Sequence, residues 1–205
     1  MTLPRLYAIV DMQRADRKPL GNPIAFAEEL FSAGVRLLQV RDKETRPRVT
    51  LSVAREIKRI APKDAVLIMN DRADVCLGAG FGGVHVGQDD LSPEAARCVC
   101  PQPLIVGVST HNLEQLRDAD ASPADYIAFG PVFGTTSKAN PDPTVGLELL
   151  RVARKLTKKP LIAIGGITRA NCRSVLEAGA DSVAVISDLC DDPQAAVKEF
   201  LRILR

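Results

Sequence analysis

Two short apolar runs in this chain each end on carboxylates. Val66-Leu67-Ile68-Met69 passes straight into Asn70-Asp71, and Gly83-Val84-His85-Val86 passes into Gly87-Gln88-Asp89-Asp90. Each reads as a buried strand that hands over to an acidic end. A separation of one strand-plus-helix unit puts both ends on the same rim of a parallel sheet. Asp71 and Asp90 together then make a seat for a hard divalent cation. Magnesium suits it, because that ion takes a couple of carboxylates plus waters and ligand phosphates in preference to a full protein cage. Taken singly, either acidic end also reads as a helix cap, a position that Asn and Asp favour.

The remaining candidates follow other apolar runs. In Gln39-Val40-Arg41-Asp42-Lys43, strand alternation aims Gln39, Arg41 and Lys43 to one side. An amide, a guanidinium and an ammonium on one face suit a phosphorylated, hydrogen-bonding ligand. The competing reading is a solvated strand end in which Arg41 and Lys43 pair with Asp42 and Glu44. In Gly107-Val108-Ser109-Thr110-His111-Asn112, Ser109 and His111 can serve a ligand while Asn112 starts a helix. His85 lies within its apolar run and reads as a packed histidine rather than a catalyst. The stretch from Gly130 through Thr135, Thr136, Ser137 and Lys138, continuing with prolines to Gly146, reads as an anion-binding lid or a plain flexible loop. Gly165-Gly166 and Ser187 follow the last two runs, where glycine lets backbone N–H groups approach an oxyanion. Tight packing is the other explanation for such a glycine pair.

Positioning these groups takes a repeating scaffold. Aliphatic runs recur at 6–10, 37–40, 66–69, 83–86, 104–108, 126–129, 161–164 and 182–186. They are too short for helices and too continuous for a sheet with one wet face. Helix-like stretches separate them: 24–33 after Pro23 and before Gly34, 47–60 before Pro62, one starting at Ser92-Pro93-Glu94, 148–156 before Pro160, 171–178 before Gly179, and 194–204. Eight strand–helix units predict a (β/α)₈ TIM barrel of the α/β class. The alternative, an open doubly wound sheet, calls for a glycine fingerprint after its first strand, whereas Val10 leads into Asp11-Met12-Gln13.

At 205 residues, with no Pro- or Ser-rich linker, the expectation is one domain over 1–205. Composition, 46% hydrophobic and 25% charged, is that of a globular protein. A net charge of +2 with scattered basic residues argues against nucleic acid or a membrane surface as partner, so any anion must be held locally. The cysteines, 76, 98, 100, 172 and 190, include no CxxC pair and read as small packing groups in a reducing compartment. The start of the chain lacks the basic-then-apolar plan of a signal peptide, and no apolar stretch is long enough to span a bilayer, so the cytoplasm is the expected location. Outer helix faces are mixed and leave the oligomeric state open, a homo-oligomer included.

Taken in order, Gln39 to Lys43, Asn70-Asp71, His85-Val86-Gly87-Gln88-Asp89-Asp90, Gly107-Val108-Ser109, Thr135 to Lys138, Ile164-Gly165-Gly166-Ile167 and Ile186-Ser187 resemble the thiamine-phosphate synthase family along almost the whole chain. The resemblance implies a magnesium-dependent transferase. It joins 4-amino-2-methyl-5-pyrimidinylmethyl diphosphate to a thiazole ethyl phosphate and releases pyrophosphate. By that likeness Asp71 and Asp90 hold magnesium. Gln39, Val40, Arg41, Asp42, Lys43, Asn70, Ser109 and Lys138 hold the pyrimidine diphosphate. Thr135, Thr136, Ser137, Gly166, Ile186 and Ser187 hold the thiazole phosphate. Lys138, Arg41 and Lys43 are the expected catalytic groups, neutralising charge on a leaving diphosphate. Ser137 departs from the usual threonine but keeps a hydroxyl. Related thiazole tautomerases share the barrel and a histidine at the place of His111, yet typically lose Gln39, Asp71 and Asp90. A non-catalytic thiazole-phosphate-binding regulator would have no use for Lys138 and both carboxylates together. Generic phosphosugar isomerases would need a clearer acid/base pair than this sequence offers.

Overall fold

A computed structural model describes residues 3–15, 21–100, 103–135 and 142–205. Eight parallel strands, β1 (Leu6–Asp11), β2 (Leu37–Arg41), β3 (Val66–Asn70), β4 (Gly83–Val86), β5 (Ile105–Thr110), β6 (Tyr126–Phe129), β7 (Leu161–Ile164) and β8 (Ser182–Val185), pair in chain order. The ring closes where β1 meets β8, with Tyr7 opposite Ala184. The expected (β/α)₈ barrel is the observed fold.

The described helices are α1 (Met12–Ala15), α2 (Pro23–Ser32), α3 (Pro47–Ile60), α4 (Ala73–Ala79), α5 (Pro93–Val99), α6 (Leu113–Ala121), α7 (Gly146–Leu156), α8 (Cys172–Glu177) and α9 (Pro193–Ile203). Their starts follow from local chemistry. Asn22 accepts from the Ile24 N–H at 2.9 Å ahead of α2, and Asn112 accepts from the Glu114 and Gln115 N–H groups ahead of α6. Proline at the first turn of α2, α3, α5 and α9 presets the helical φ where no N–H is needed. On α3, Thr50, Ala54 and Ile57 make the narrow stripe that faces the strands.

Alternation along the strands splits the apolar residues into two cores. Leu6, Ala8, Val10, Leu38 and Val40 point outward and pack beneath the helices. Tyr7, Ile9, Leu37, Ile68, Tyr126, Ala128, Ile162 and Ala184 point inward and fill the barrel. The Tyr126 ring occupies space that only glycine on the neighbouring strand can leave, since a Cβ on Gly107 would lie 1.9 Å from Tyr126 Cζ. Among the described residues no helix is long and apolar enough to cross a membrane.

Candidate active site

Above the inward core, at the C-terminal ends of the strands, a cavity opens. Its floor is apolar: Ile9, Ala128, Ile164 and Ala184. The remaining walls stand around it in two arcs set by strand order. Gln39, Arg41, Asn70, His85 and Ser109 come from β2 to β5, while Thr135, Gly166, Ile186 and Ser187 come from segments that follow β6 to β8.

On the first arc, alternation brings Gln39 and Arg41 into the cavity together, as the sequence predicts. Arg41 is fixed from behind: its Nη1 donates to Asp11 Oδ2 at 2.6 Å, and the Asp11 side chain is only 3% exposed. Asp11 and Gln13 were not among the sequence candidates. Gln13 donates through Nε2 to Asp42 at 2.8 Å, tying the ends of β1 and β2. Asp42 itself does not line the cavity. Partial burial would raise its carboxyl, but donors on Thr45, Thr50 and Gln13 outweigh that and hold it down at about 2. It organises the turn into α3. Val40 points the other way, fully buried in the outer core, so its side chain does not reach a ligand in the mouth.

Asn70 belongs to β3, opposite His85 of β4, instead of following its strand. Its Nδ2 is buried and has no hydrogen-bond partner among the described residues, although it borders the cavity. A buried amide donor left unmade costs about 1–3 kcal/mol, so this group is set for an acceptor on a ligand.

Asp71, Asp90 and Lys43 do not line the cavity itself; they form a cluster at the rim, one residue past Asn70. Asp71 alone among the described non-glycine residues has a left-handed backbone, at φ 58°. The turn is pinned by its N–H donating to the His85 carbonyl at 2.7 Å. Lys43 Nζ lies 2.5 Å from Asp71 Oδ2. Burial pushes the Asp71 carboxyl up, Lys43 opposes that, and the Asp90 carboxylate beside it adds to the rise. Asp90 also accepts from the Gly87 N–H at 2.9 Å. No group of three or more His, Cys, Asp or Glu side chains converges among the described residues. Two adjoining oxygen donors with an orphaned amide donor nearby fit magnesium held largely by water and phosphate, and do not fit a protein-caged metal.

The second arc is built by a packed loop junction. Val132 and Phe133 donate to the carbonyls of Ile164 and Gly165 at 2.8 and 3.0 Å. Gly165 and Gly166 have φ of +97° and +62°, and a Cβ on Gly166 would lie 2.4 Å from the Gly134 carbonyl. Packing and left-handed backbone therefore both demand this pair, which also borders the cavity. Ser187, which also borders the cavity, opens a 3-10 turn, Ser187–Leu189. Thr136, Ser137 and Lys138 lie outside the described residues.

His85 is buried, as expected of a packed histidine, but it also faces the cavity. Its Nε2 lies 2.8 Å from Ser109 Oγ and its Nδ1 lies 2.9 Å from Tyr126 Oη. Tyr7 and Tyr126 were missed as polar groups of the site because inward tyrosines on a strand look like core. The signal was their phase: Tyr7 shares its face with Asp11, and Tyr126 pairs in register with Gly107, next to Ser109's strand end.

The family model described as thiamine monophosphate synthase matches residues 6–189 of this chain. The chain belongs to that family. Within it, a thiamine-phosphate synthase of Koribacter versatilis is 59% identical over 205 residues, covering 100% of this chain and 97% of the relative. One from Methanospirillum hungatei is 41% identical, covering 97% of each. The solved structure of a thiamine phosphate pyrophosphorylase from Pyrococcus furiosus superposes with a TM-score of 0.86 at 32% identity, covering 98% of this chain and 95% of that one. As a member of the thiamine monophosphate synthase family, the chain is a transferase.

Proposed function

We propose that this enzyme joins 4-amino-2-methyl-5-pyrimidinylmethyl diphosphate to a thiazole ethyl phosphate, forming thiamine phosphate and releasing pyrophosphate, with magnesium as cofactor. The observation that carries this reading is the first arc: a buried, unpartnered Asn70 amide donor beside Arg41 and next to the paired carboxylates of Asp71 and Asp90. Hydrogen-bond donors for phosphate oxygens and carboxylate oxygens that can ligate a cation stand together there, as a metal–diphosphate requires.

Asn70 and Arg41 bind diphosphate oxygens, with Arg41 held from behind by its single Nη1 bond to Asp11. Magnesium, when held by Asp71, Asp90 and the substrate's own oxygens, supplies Lewis-acid neutralisation of the leaving diphosphate. Lys43, now on Asp71, adds a mobile positive charge at the same rim, and Lys138 is assigned to the diphosphate by the family pattern. Gln39 and Ser109 hold the pyrimidine ring over the apolar floor. The electron-rich pyrimidinylmethyl carbon supports an early, largely dissociative break, so no side-chain nucleophile is required. Thr135, Gly166, Ile186 and Ser187, with Thr136 and Ser137 by sequence, seat the thiazole phosphate so that its ring nitrogen stands near that carbon, and this positioning supplies much of the rate. Gln39, Asp71 and Asp90 favour the synthase over the related tautomerases.

The test is direct: purified protein, both substrates and magnesium. The expected result is thiamine phosphate and pyrophosphate in equal amounts, with neither formed when one substrate is left out. Absence of product with active substrates overturns the proposal.

A further inference from the structure

Beneath the mouth a line of hydrogen bonds crosses the barrel from β2 to β5. Gln39 Nε2 donates to Tyr7 Oη at 2.8 Å; Tyr7 Oη lies 3.0 Å from Tyr126 Oη; Tyr126 Oη lies 2.9 Å from His85 Nδ1; and His85 Nε2 lies 2.8 Å from Ser109 Oγ. Both tyrosine hydroxyls are wholly buried, and burial pushes them well above the usual phenol range, so they act as neutral donor–acceptors. Rings hold the line in place: Tyr126 stacks on His85 at 5.5 Å and 18°, and meets Tyr7 edge-on at 6.2 Å and 81°.

A hydroxyl has one proton to give. Because Gln39 donates to Tyr7, the Tyr7 proton goes to Tyr126 and the Tyr126 proton goes to His85 Nδ1. His85 is then the tautomer with its proton on Nε2, which donates to Ser109 Oγ. Ser109 is left with its own proton to give upward. At the other end Gln39, with its amide nitrogen engaged, turns Oε1 to accept.

We propose that Tyr7, Tyr126 and His85 form a one-way relay that fixes an acceptor at Gln39 and a donor at Ser109, and so selects an amino-substituted azine ring. This rests on the reading of the site given above and deepens it. The amino group gives a proton to Gln39, and a ring nitrogen takes one from Ser109. The oxo counterpart of the same pyrimidine carries N–H and C=O where the amine carries lone pair and N–H, and meets the wrong polarity. The relay also explains why a serine beside an imidazole is not an activated nucleophile here: the facing nitrogen carries a proton and cannot take one. The three act through Gln39 and Ser109 as positioning residues.

The sense of the relay is readable without any substrate. The chain has two histidines, and the other, His111, has Nδ1 2.6 Å from the Gly130 carbonyl, an oxygen that only accepts. His111 Nε2 also faces Asp142 Oδ2 at 3.5 Å, so the His111→Gln variant serves only to assign the signals, and ¹⁵N NMR of the wild-type protein should show the proton of neutral His85 on Nε2. A proton on Nδ1 of neutral His85 overturns the relay.

Its consequence is read with Tyr126→Phe, which keeps the ring and removes the link. In the wild type, kcat/KM should favour the 4-amino over the 4-oxo pyrimidinylmethyl diphosphate, and in Tyr126→Phe that preference should fall by about tenfold or more, as loss of one polar discriminating contact does. The KM for thiazole phosphate should stay unchanged. An unchanged preference, or equal losses for both analogues, contradicts the proposal. Calorimetric binding of the two diphosphate-free pyrimidine alcohols separates the relay from the function. Preferential binding of the amine without turnover leaves the relay and removes the synthase; turnover with an unaffected preference does the reverse; neither binding nor turnover removes both.

Discussion

Asp11 shows how a single carboxylate decides what its neighbour can do. It is almost fully buried against Arg41, and removing one member of a buried ion pair strands the other charge. Asp11→Asn should lower stability by on the order of 3 kcal/mol and weaken the pyrimidine diphosphate KM more than the thiazole phosphate KM; urea unfolding and steady-state kinetics check both. Asp42 makes the opposite use of charge. Its folded carboxyl, at about 2, lies below the ordinary carboxylate value, so the folded state binds that proton less readily than the unfolded chain. The resulting stabilisation is full above the ordinary value and is lost as pH falls toward the folded one. Being partly exposed, it is worth about 1 kcal/mol after screening. The stability gap between wild type and Asp42→Asn should therefore be constant near pH 6 and shrink from about pH 4 downward, measured by urea midpoints. A gap independent of pH contradicts this assignment. Gln39 and Arg41 were legible in the sequence because alternation places them on one face. Asp11 was not, because an acid directly after an aliphatic run reads equally well as a cap.

At the scale of elements, the aliphatic runs located all eight strands but ended several of them early. Asp11 opposite Arg41, Asn70 opposite His85, and Thr110 opposite Phe129 still pair as strand residues. Side chains turn polar where they reach the mouth, while the backbone ladder continues, so hydropathy stops before the strand does. α4, which carries Gly78 and is short, was invisible to helix periodicity, and α6 was visible only through its Asn112 cap. The Gly165-Gly166 pair was legible as a site feature, but the close approach of the Gly134 carbonyl depends on how two loops pack and has no local signal. Gly166→Ala should raise the thiazole phosphate KM by about tenfold or more and cost about 1–2 kcal/mol for the left-handed backbone. Kinetics at saturating pyrimidine diphosphate, with thermal unfolding alongside, gives both numbers.

For the whole molecule, the consequence of chain-order pairing is that the mouth is divided. Charge-handling groups come from β2 to β5, and the glycine and hydroxyl wall comes from the segments after β6 to β8. The barrel was legible from its eight repeats. The line of polar groups through its centre was not, because it needs side chains from β1, β2, β4, β5 and β6 that meet only when the ring closes. The claim that this division separates two substrates is tested most directly by varying each substrate in turn for wild type, Asn70→Ala and Asp90→Asn at limiting and saturating magnesium. The account predicts that both variants lose about 10²-fold or more in kcat/KM for the pyrimidine diphosphate, that Asp90→Asn raises the magnesium requirement, and that the thiazole phosphate KM stays near the wild-type value. Near-normal turnover of Asp90→Asn at limiting magnesium, or a thiazole phosphate KM that moves in step with the other, would contradict it.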